Sequence, residues 1–345
     1  MKTWKLLLAA LWIGIAYGSI EAEHEKHLAD LKAQGNLKRM EKLADVYAGF
    51  TFNVSQRELL ERCSAVYRRL PDPERMQVEA MAHVFMAEVE FAAVGYKEVT
   101  EEMRLLVAVE ACTLILNRGF EGYRRLKRVE FWEHAPKGSP AGLSVERWGG
   151  DCNGEQVRLL WPATSAASAA RGLRDNTIVH EFAHMLDMAD DRVAQSIPVP
   201  QGTTEASQWN ALLDSEYPRL QEAHMLAACQ HAHTKTQRCK YPAIGSYAVS
   251  HPTRGEFFPV ASEVFITHPN DLRAYSPVLY HQLRRYYGFD PATWQASRGE
   301  NSGIHAPSFL GTYVNKNNEM PPPFGQLPDE GCGTNPIRPW RVLTR

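Results

Sequence analysis

Residues 176–187, Asn-Thr-Ile-Val-His-Glu-Phe-Ala-His-Met-Leu-Asp, carry the types and spacing that most directly specify chemistry. His180 and His184 stand four apart, so on a helix they share one face, separated by about 6 Å along the axis, and both imidazoles can reach one metal ion. Glu181 then falls beside that ion, where its carboxylate can take the proton of a water whose pKa the metal lowers. Ile178, Val179, Phe182, Ala183, Met185 and Leu186 make the segment an apolar helix, and an expensive pair of histidines in such a helix calls for a ligand. The pattern predicts one catalytic zinc ion, held by His180 and His184, with Glu181 as general base.

A tetrahedral catalytic zinc needs a third protein ligand and keeps its fourth position for water. Three carboxylates compete. Asp187 is on the histidine face, but its short side chain starts about 4.5 Å beyond His184 along the axis, which suits a hydrogen bond to a ligand imidazole better than ligation. Glu263 sits on a second apolar segment, 256–265, where a buried carboxylate needs a metal or a cation to offset its desolvation. Glu256, seven residues earlier and nearer the helix start, is favourable against the helix dipole without a metal. Glu263 is therefore the expected third ligand, with Glu256 the alternative.

The elements that must position these groups follow from pattern. Residues 21–69 are charged with a sparse helical period; stronger helices are expected over 73–92 and over 100–116, the latter opening on the capping pattern Thr100-Glu101-Glu102-Met103. Strands are expected over 128–133 and 156–161, separated by Gly149, Gly150 and Gly154. Helical pattern returns over 176–189, 205–229, 255–267 and 277–287. Helices before and after a few strands indicate an α+β domain, mostly helical with a small sheet. The expected organisation is a leader or anchor over 1–20, a helical preamble over 21–70, a zincin-like catalytic domain over 71–295, and a tail over 296–345 that is rich in Pro, Gly and Asn. No internal repeat or phosphate-binding glycine loop is apparent.

Three blocks in order, Val179 to Asp187, Ser246-Tyr247-Ala248, and Glu256-Phe-Phe-Pro-Val-Ala-Ser-Glu263, resemble the Mlc titration factor A family of zinc peptidases. The resemblance extends from about Pro73 to Pro291, through 99–104, Ala111-Cys112, His268-Pro269, Leu279-Tyr280 and Phe289-Asp290-Pro291. It implies a catalytic core related to that of anthrax lethal factor, a glutamate third ligand, and a peptidase with aminopeptidase-like turnover of small substrates. By motif position it implies zinc binding by His180, His184 and Glu263, general base catalysis by Glu181, and oxyanion stabilisation by Tyr247, whose phenol suits that task. The chain differs in carrying about two extra residues between Tyr247 and Glu256, and in Pro259 near the start of the ligand helix.

Lys2 and Lys5 before the apolar run 6–17, followed by Gly18, Ser19 and glutamates, form a secretory pattern, with cleavage after Gly18 or an uncleaved anchor that tethers the chain to a membrane. A periplasmic or extracellular location follows, and there the family's binding of a cytoplasmic repressor does not carry over. In such a compartment Cys229 and Cys239 are expected to pair, in preference to a second metal site with His224, His231 and His233; Cys112 reads as a buried thiol, and Cys63, Cys152 and Cys332 cannot be paired from sequence. Tyr280, Tyr286, Tyr287 and Trp294 are expected to pack rather than to bind substrate. With 345 residues, 38 Lys and Arg against 40 Asp and Glu, and 44% hydrophobic content, the chain is an ordinary folded protein without the basic field of a nucleic-acid binder. The partner is expected to be a peptide or protein substrate; the competing view is a non-catalytic, zinc-containing binding module of the cell envelope.

Overall fold

The computed structural model describes residues 32–136, 148–169, 176–190, 193–233, 242–249 and 254–294. The leader over 1–20, the tail over 296–345 and Cys239 and Cys332 lie outside the described residues, as do the side chains of Cys229, His231 and His233. Among the described residues no helix is long and apolar enough to cross a membrane.

The chain opens with α1 over 32–47, then α2 (Val54–Cys63), α3 (Ala65–Arg69) and α4 (Asp72–Glu88). Asn53 caps α2 with a reciprocal bond from Gln56, and Pro73 sits in the first turn of α4, where its missing N–H costs nothing. Met40, Phe52, Leu60, Tyr67 and Leu70 join the main core, so the described part of the preamble packs as one body with the region after it. Helix α5 (Glu101–Leu114) is the centre of that core: Thr100 accepts from Met103 N at 3.2 Å as its cap, and every residue from Leu105 to Leu114 is buried.

Strands β1 (Glu90–Val94), β2 (Arg128–Trp132), β3 (Gly150–Cys152) and β4 (Gln156–Leu160) form one sheet in the order β1-β2-β4-β3. The first three in that order are parallel and β3 is antiparallel to β4. Val129, Phe131, Val157 and Leu159 face the core, whereas Arg128, Glu130 and Arg158 face outward, the alternation of a half-covered sheet. Then come α6 (Trp161–Ala169), α7 (Thr177–Asp187), α8 (Thr204–His233), α9 (Phe257–Thr267), α10 (Pro269–Tyr275) and α11 (Pro277–Tyr287). The result is the mostly helical α+β architecture with a small sheet that the pattern implies.

Two strands depart from expectation. The helix expected to run to residue 92 ends at Glu88, because Glu-Phe-Ala-Ala-Val, neutral in local preference, pairs along β2. The glycines at 149 and 150 read as a turn, yet Gly150 enters a strand: a Cβ there would lie 2.6 Å from the Arg158 carbonyl, so only glycine lets the two backbones approach. Tyr280, Tyr286, Tyr287 and Trp294 are buried in packing, as expected, and Cys112 is a fully buried thiol. Cys63, Cys112 and Cys152 are unpaired.

Candidate metal centre

Helix α7 begins at Asn176, whose Oδ1 accepts from Val179 N at 3.0 Å. It packs against α5 and α9, and all of its residues but Thr177 and His184 are buried. His180 and His184 project together, with ring centroids 4.9 Å apart. Opposite them stands Glu256, the N-cap residue of α9: its Oε2 lies 3.1 Å from His180 Nε2 and 3.3 Å from His184 Nε2. The three donors fall within 4.8 Å of one another. Ligand atoms held about 2.0–2.1 Å from a tetrahedral zinc are spaced by about 3.3 Å, so the two distances to Glu256 already match a shared ion, and two imidazoles with one carboxylate are a known catalytic zinc set.

Glu263 occupies a different place. Its Oε1 accepts from His180 Nδ1 at 2.5 Å and its Oε2 from Asn176 N at 2.9 Å. Glu263, expected as the third ligand, is not placed in the donor cluster: it grips the nitrogen of His180 that points away, and Glu256, the alternative, stands with the two histidines. The desolvation argument for Glu263 was sound, but the compensating group is the imidazole N–H together with a backbone N–H. Such a carboxylate behind a ligand histidine fixes the ring and its tautomer. Asn176 carries the network onward, its Nδ2 donating to Glu110 at 3.0 Å, and Ser64 Oγ donates to the other oxygen of Glu110 at 2.7 Å.

Asp187 is not seen to hydrogen-bond an imidazole. It accepts from Ser196 N and Ile197 N, each at 2.7 Å, and so ties the end of α7 to the next loop. Tyr247 lies in the short 3-10 turn Ser246–Val249, with its ring centroid 5.8 Å from that of His180, so the structure brings it to the site. His224, considered for a second metal site, instead hydrogen-bonds the Ile244 carbonyl at 2.8 Å.

Charge is tuned by burial and by neighbours. Burial pushes Glu181 up to about 8, assisted by the carboxylates of Glu256, Asp151 and Glu263 and opposed by His180. Burial alone would raise Glu256, but hydrogen bonds from the two imidazoles hold it well below the carboxylate range. Burial would lower His180, and the carboxylates of Glu263 and Glu256 outweigh it and raise that imidazole. Tyr247 is raised by burial and by the same carboxylates, so its phenol keeps its proton and can donate. A Cβ built on Gly150 would lie 3.2 Å from Glu181 Cγ and Oε1, so β3 runs directly beside that carboxylate.

Sequence reasoning missed Gly150 and preferred Glu263 to Glu256, the glutamate that the fold brings to both histidine Nε2 atoms. The available signal was position: Glu256 precedes its helix, where a side chain can swing toward a neighbouring element, whereas Glu263 is fixed in the middle of α9.

The model of the family described as glucose-regulated metallo-peptidase M90 matches residues 38–288, and the chain belongs to that family. Among curated relatives, an uncharacterized protein of Synechocystis, slr2042, is 28% identical over 235 residues, covering 65% of this chain and 80% of the relative. Mlc titration factor A of Edwardsiella ictaluri is 27% identical over 233 residues, covering 64% and 83%. The protein of the same name from Serratia proteamaculans is 30% identical over a shorter 128 residues, covering 37% and 44%.

Proposed function

We propose that this metallopeptidase is zinc-dependent, with His180, His184 and Glu256 as ligands, Glu181 as general base and Tyr247 as oxyanion donor. The observation that carries the reading is the approach of Glu256 Oε2 to both histidine Nε2 atoms, one helical turn of α7 supplying Glu181 as well. When bound, zinc supplies the Lewis acidity that lowers the pKa of water and polarises a carbonyl. The residues of the chain do the rest. Glu181, on the same helical turn as the two histidines, stands where its carboxylate can take the proton of that water and pass it to the leaving amine. The protonated phenol of Tyr247 donates to the oxyanion as charge develops.

Substrate is a peptide or protein. β3 is the last strand of the described sheet and passes Glu181 through Gly150, so an extended peptide laid along it would bring its backbone past the base. Aminopeptidase-like trimming of small peptides is the favoured mode, by resemblance to the family. We further propose export, directed by Lys2, Lys5 and the apolar run 6–17, with those residues as cleaved leader or membrane tether.

The test compares wild type with Glu181→Gln, each with its zinc content measured, on a peptide library read by mass spectrometry. The expected result is one zinc in both proteins and cleavage by wild type alone. Cleavage by Glu181→Gln at the wild-type rate would overturn the base assignment. Silence from zinc-loaded wild type would instead favour a binding module.

A further inference from the structure

The start of α9 raises an accounting question. The first N–H groups of a helix lack intrahelical partners, and a short polar N-cap side chain, Ser, Thr, Asp or Asn, ordinarily accepts from one of them. Glu256 is the N-cap of α9 and makes no such bond. The three positions after it are nevertheless all settled. Phe257 N donates to the Arg254 carbonyl at 3.1 Å, Phe258 N donates to Ser196 Oγ at 2.9 Å, and Pro259 has no N–H to place. Val260 N then makes the first intrahelical bond, to Glu256 O at 3.1 Å.

Ser196 reaches this position from a different loop because its own backbone is pinned. Its N–H donates to Asp187 Oδ2 at 2.7 Å, and it adopts φ 60°, a left-handed conformation that is costly for a residue with a Cβ and persists only where surroundings enforce it. Its hydroxyl proton goes to the Arg254 carbonyl at 2.7 Å, which leaves the oxygen free to accept from Phe258. Arg254 is the other left-handed non-glycine residue among the described residues, at φ 58°. Ser196 is 1% exposed, so bulk water is not at hand to cap Phe258 in its place.

We propose that Ser196 is a positioning residue for the metal centre: by capping α9 in place of Glu256, it leaves the Glu256 carboxylate free to face His180 and His184. This rests on the metal-site reading above. Without the serine hydroxyl, Phe258 N is a buried donor lacking a partner, and the carboxylate of Glu256, two residues before it at the same helix start, is drawn toward it. Turning back over its own helix draws Glu256 away from the histidines.

The experiment measures zinc affinity by competition with a chromophoric chelator, and the visible spectrum after cobalt(II) substitution. Proteins compared are wild type, Ser196→Ala, Ser196→Gly, Glu256→Gln and the double variant Ser196→Ala with Glu256→Gln. Both Ser196 variants should weaken zinc by about 10- to 100-fold, the range found for groups that orient metal ligands, and should shift the cobalt spectrum toward that of Glu256→Gln. Glycine accepts φ 60° without strain, so a loss shared by both variants belongs to the hydroxyl; if alanine prevents folding, glycine alone carries the same threshold. In the Glu256→Gln background, Ser196→Ala should change affinity by less than about twofold, since no carboxylate remains to be misdirected. Zinc affinity in Ser196→Gly within about twofold of wild type, or an undiminished loss in the Glu256→Gln background, overturns the proposal. Wild type that fails to bind zinc, or Glu256→Gln that binds as wild type does, strikes the metal-site reading itself, and the two failures are thereby distinguished.

Discussion

Helices α7 and α9 meet at the metal centre but begin in opposite ways. α7 is capped by its own N-cap residue, Asn176, which contributes no donor to the centre and is free to bond Val179. α9 begins with a donor, Glu256, and its cap comes from Ser196 and the carbonyl of Arg254. An N-cap side chain can close its helix or serve a site, and where it serves a site the closing falls to another part of the chain. The histidine side of the centre is correspondingly backed by a buried run of bonds, from Ser64 through Glu110 and Asn176 to Glu263 and His180. The glutamate side depends on one hydroxyl and two left-handed residues.

The largest expected effect separates the two glutamates. Glu256→Gln should lower zinc affinity by more than about 100-fold, whereas Glu263→Gln, which acts through His180, should lower it by about 10- to 100-fold. Chelator competition reads both, and the reverse order would return Glu263 to the third position and end the contrast between the helices.

Next in size, Asn176→Ala removes the cap of α7 and one donor to Glu110. It should cost about 1–2 kcal/mol of stability from the cap alone, read by urea denaturation of the metal-free protein. Its effect on zinc affinity should be smaller than that of Ser196→Ala, since the His180 bond to Glu263 and the Asn176 backbone N–H both remain. Equal losses of affinity would mean that the two caps do the same work.

The smallest effect is in pH dependence. Burial raises Asp187 to about 6, against the opposing bonds from Ser196 and Ile197. A carboxyl group with a raised folded pKa binds its proton more tightly in the folded state. Its contribution therefore falls as pH rises from about 4 to about 6 and is fully lost above that window. Asp187→Asn should flatten this segment of the stability curve for the metal-free protein, and an unchanged slope would show that Asp187 ionises as readily in the fold as out of it.

Much of this was written in local sequence. The apolar face and spacing of 176–187 define α7 and both histidine donors, and Thr100 marks the start of α5, because these are properties of neighbours along the chain. What local pattern misses is set by partners far away. β1 exists because β2 is there to pair with it, and β3 exists because Gly150 lets Arg158 and Glu181 come close. Glu256 and Glu263 were both plausible ligands until the orientation of His180 was known: one carboxylate meets Nε2 and the other Nδ1. Ser196 had no signal at all, since its role depends on a loop folding back onto a helix 62 residues later.

The far end of α9 is also closed from outside. Arg69 donates to the carbonyls of Ile266 at 2.8 Å and Thr267 at 3.0 Å, and to Pro291 at 3.3 Å. With neither end self-sufficient, α9 is a poor candidate for forming early on a growing chain. His184 and Glu256 are separated by 72 residues, a delay of roughly 4 to 14 s at ordinary rates of synthesis. During that interval the histidines exist without their carboxylate partner, and the Ser196 cap has no helix to close. The donor set is thus closed only once residue 256 of 345 has been made, and until then the chain carries its histidines without the carboxylate that faces them.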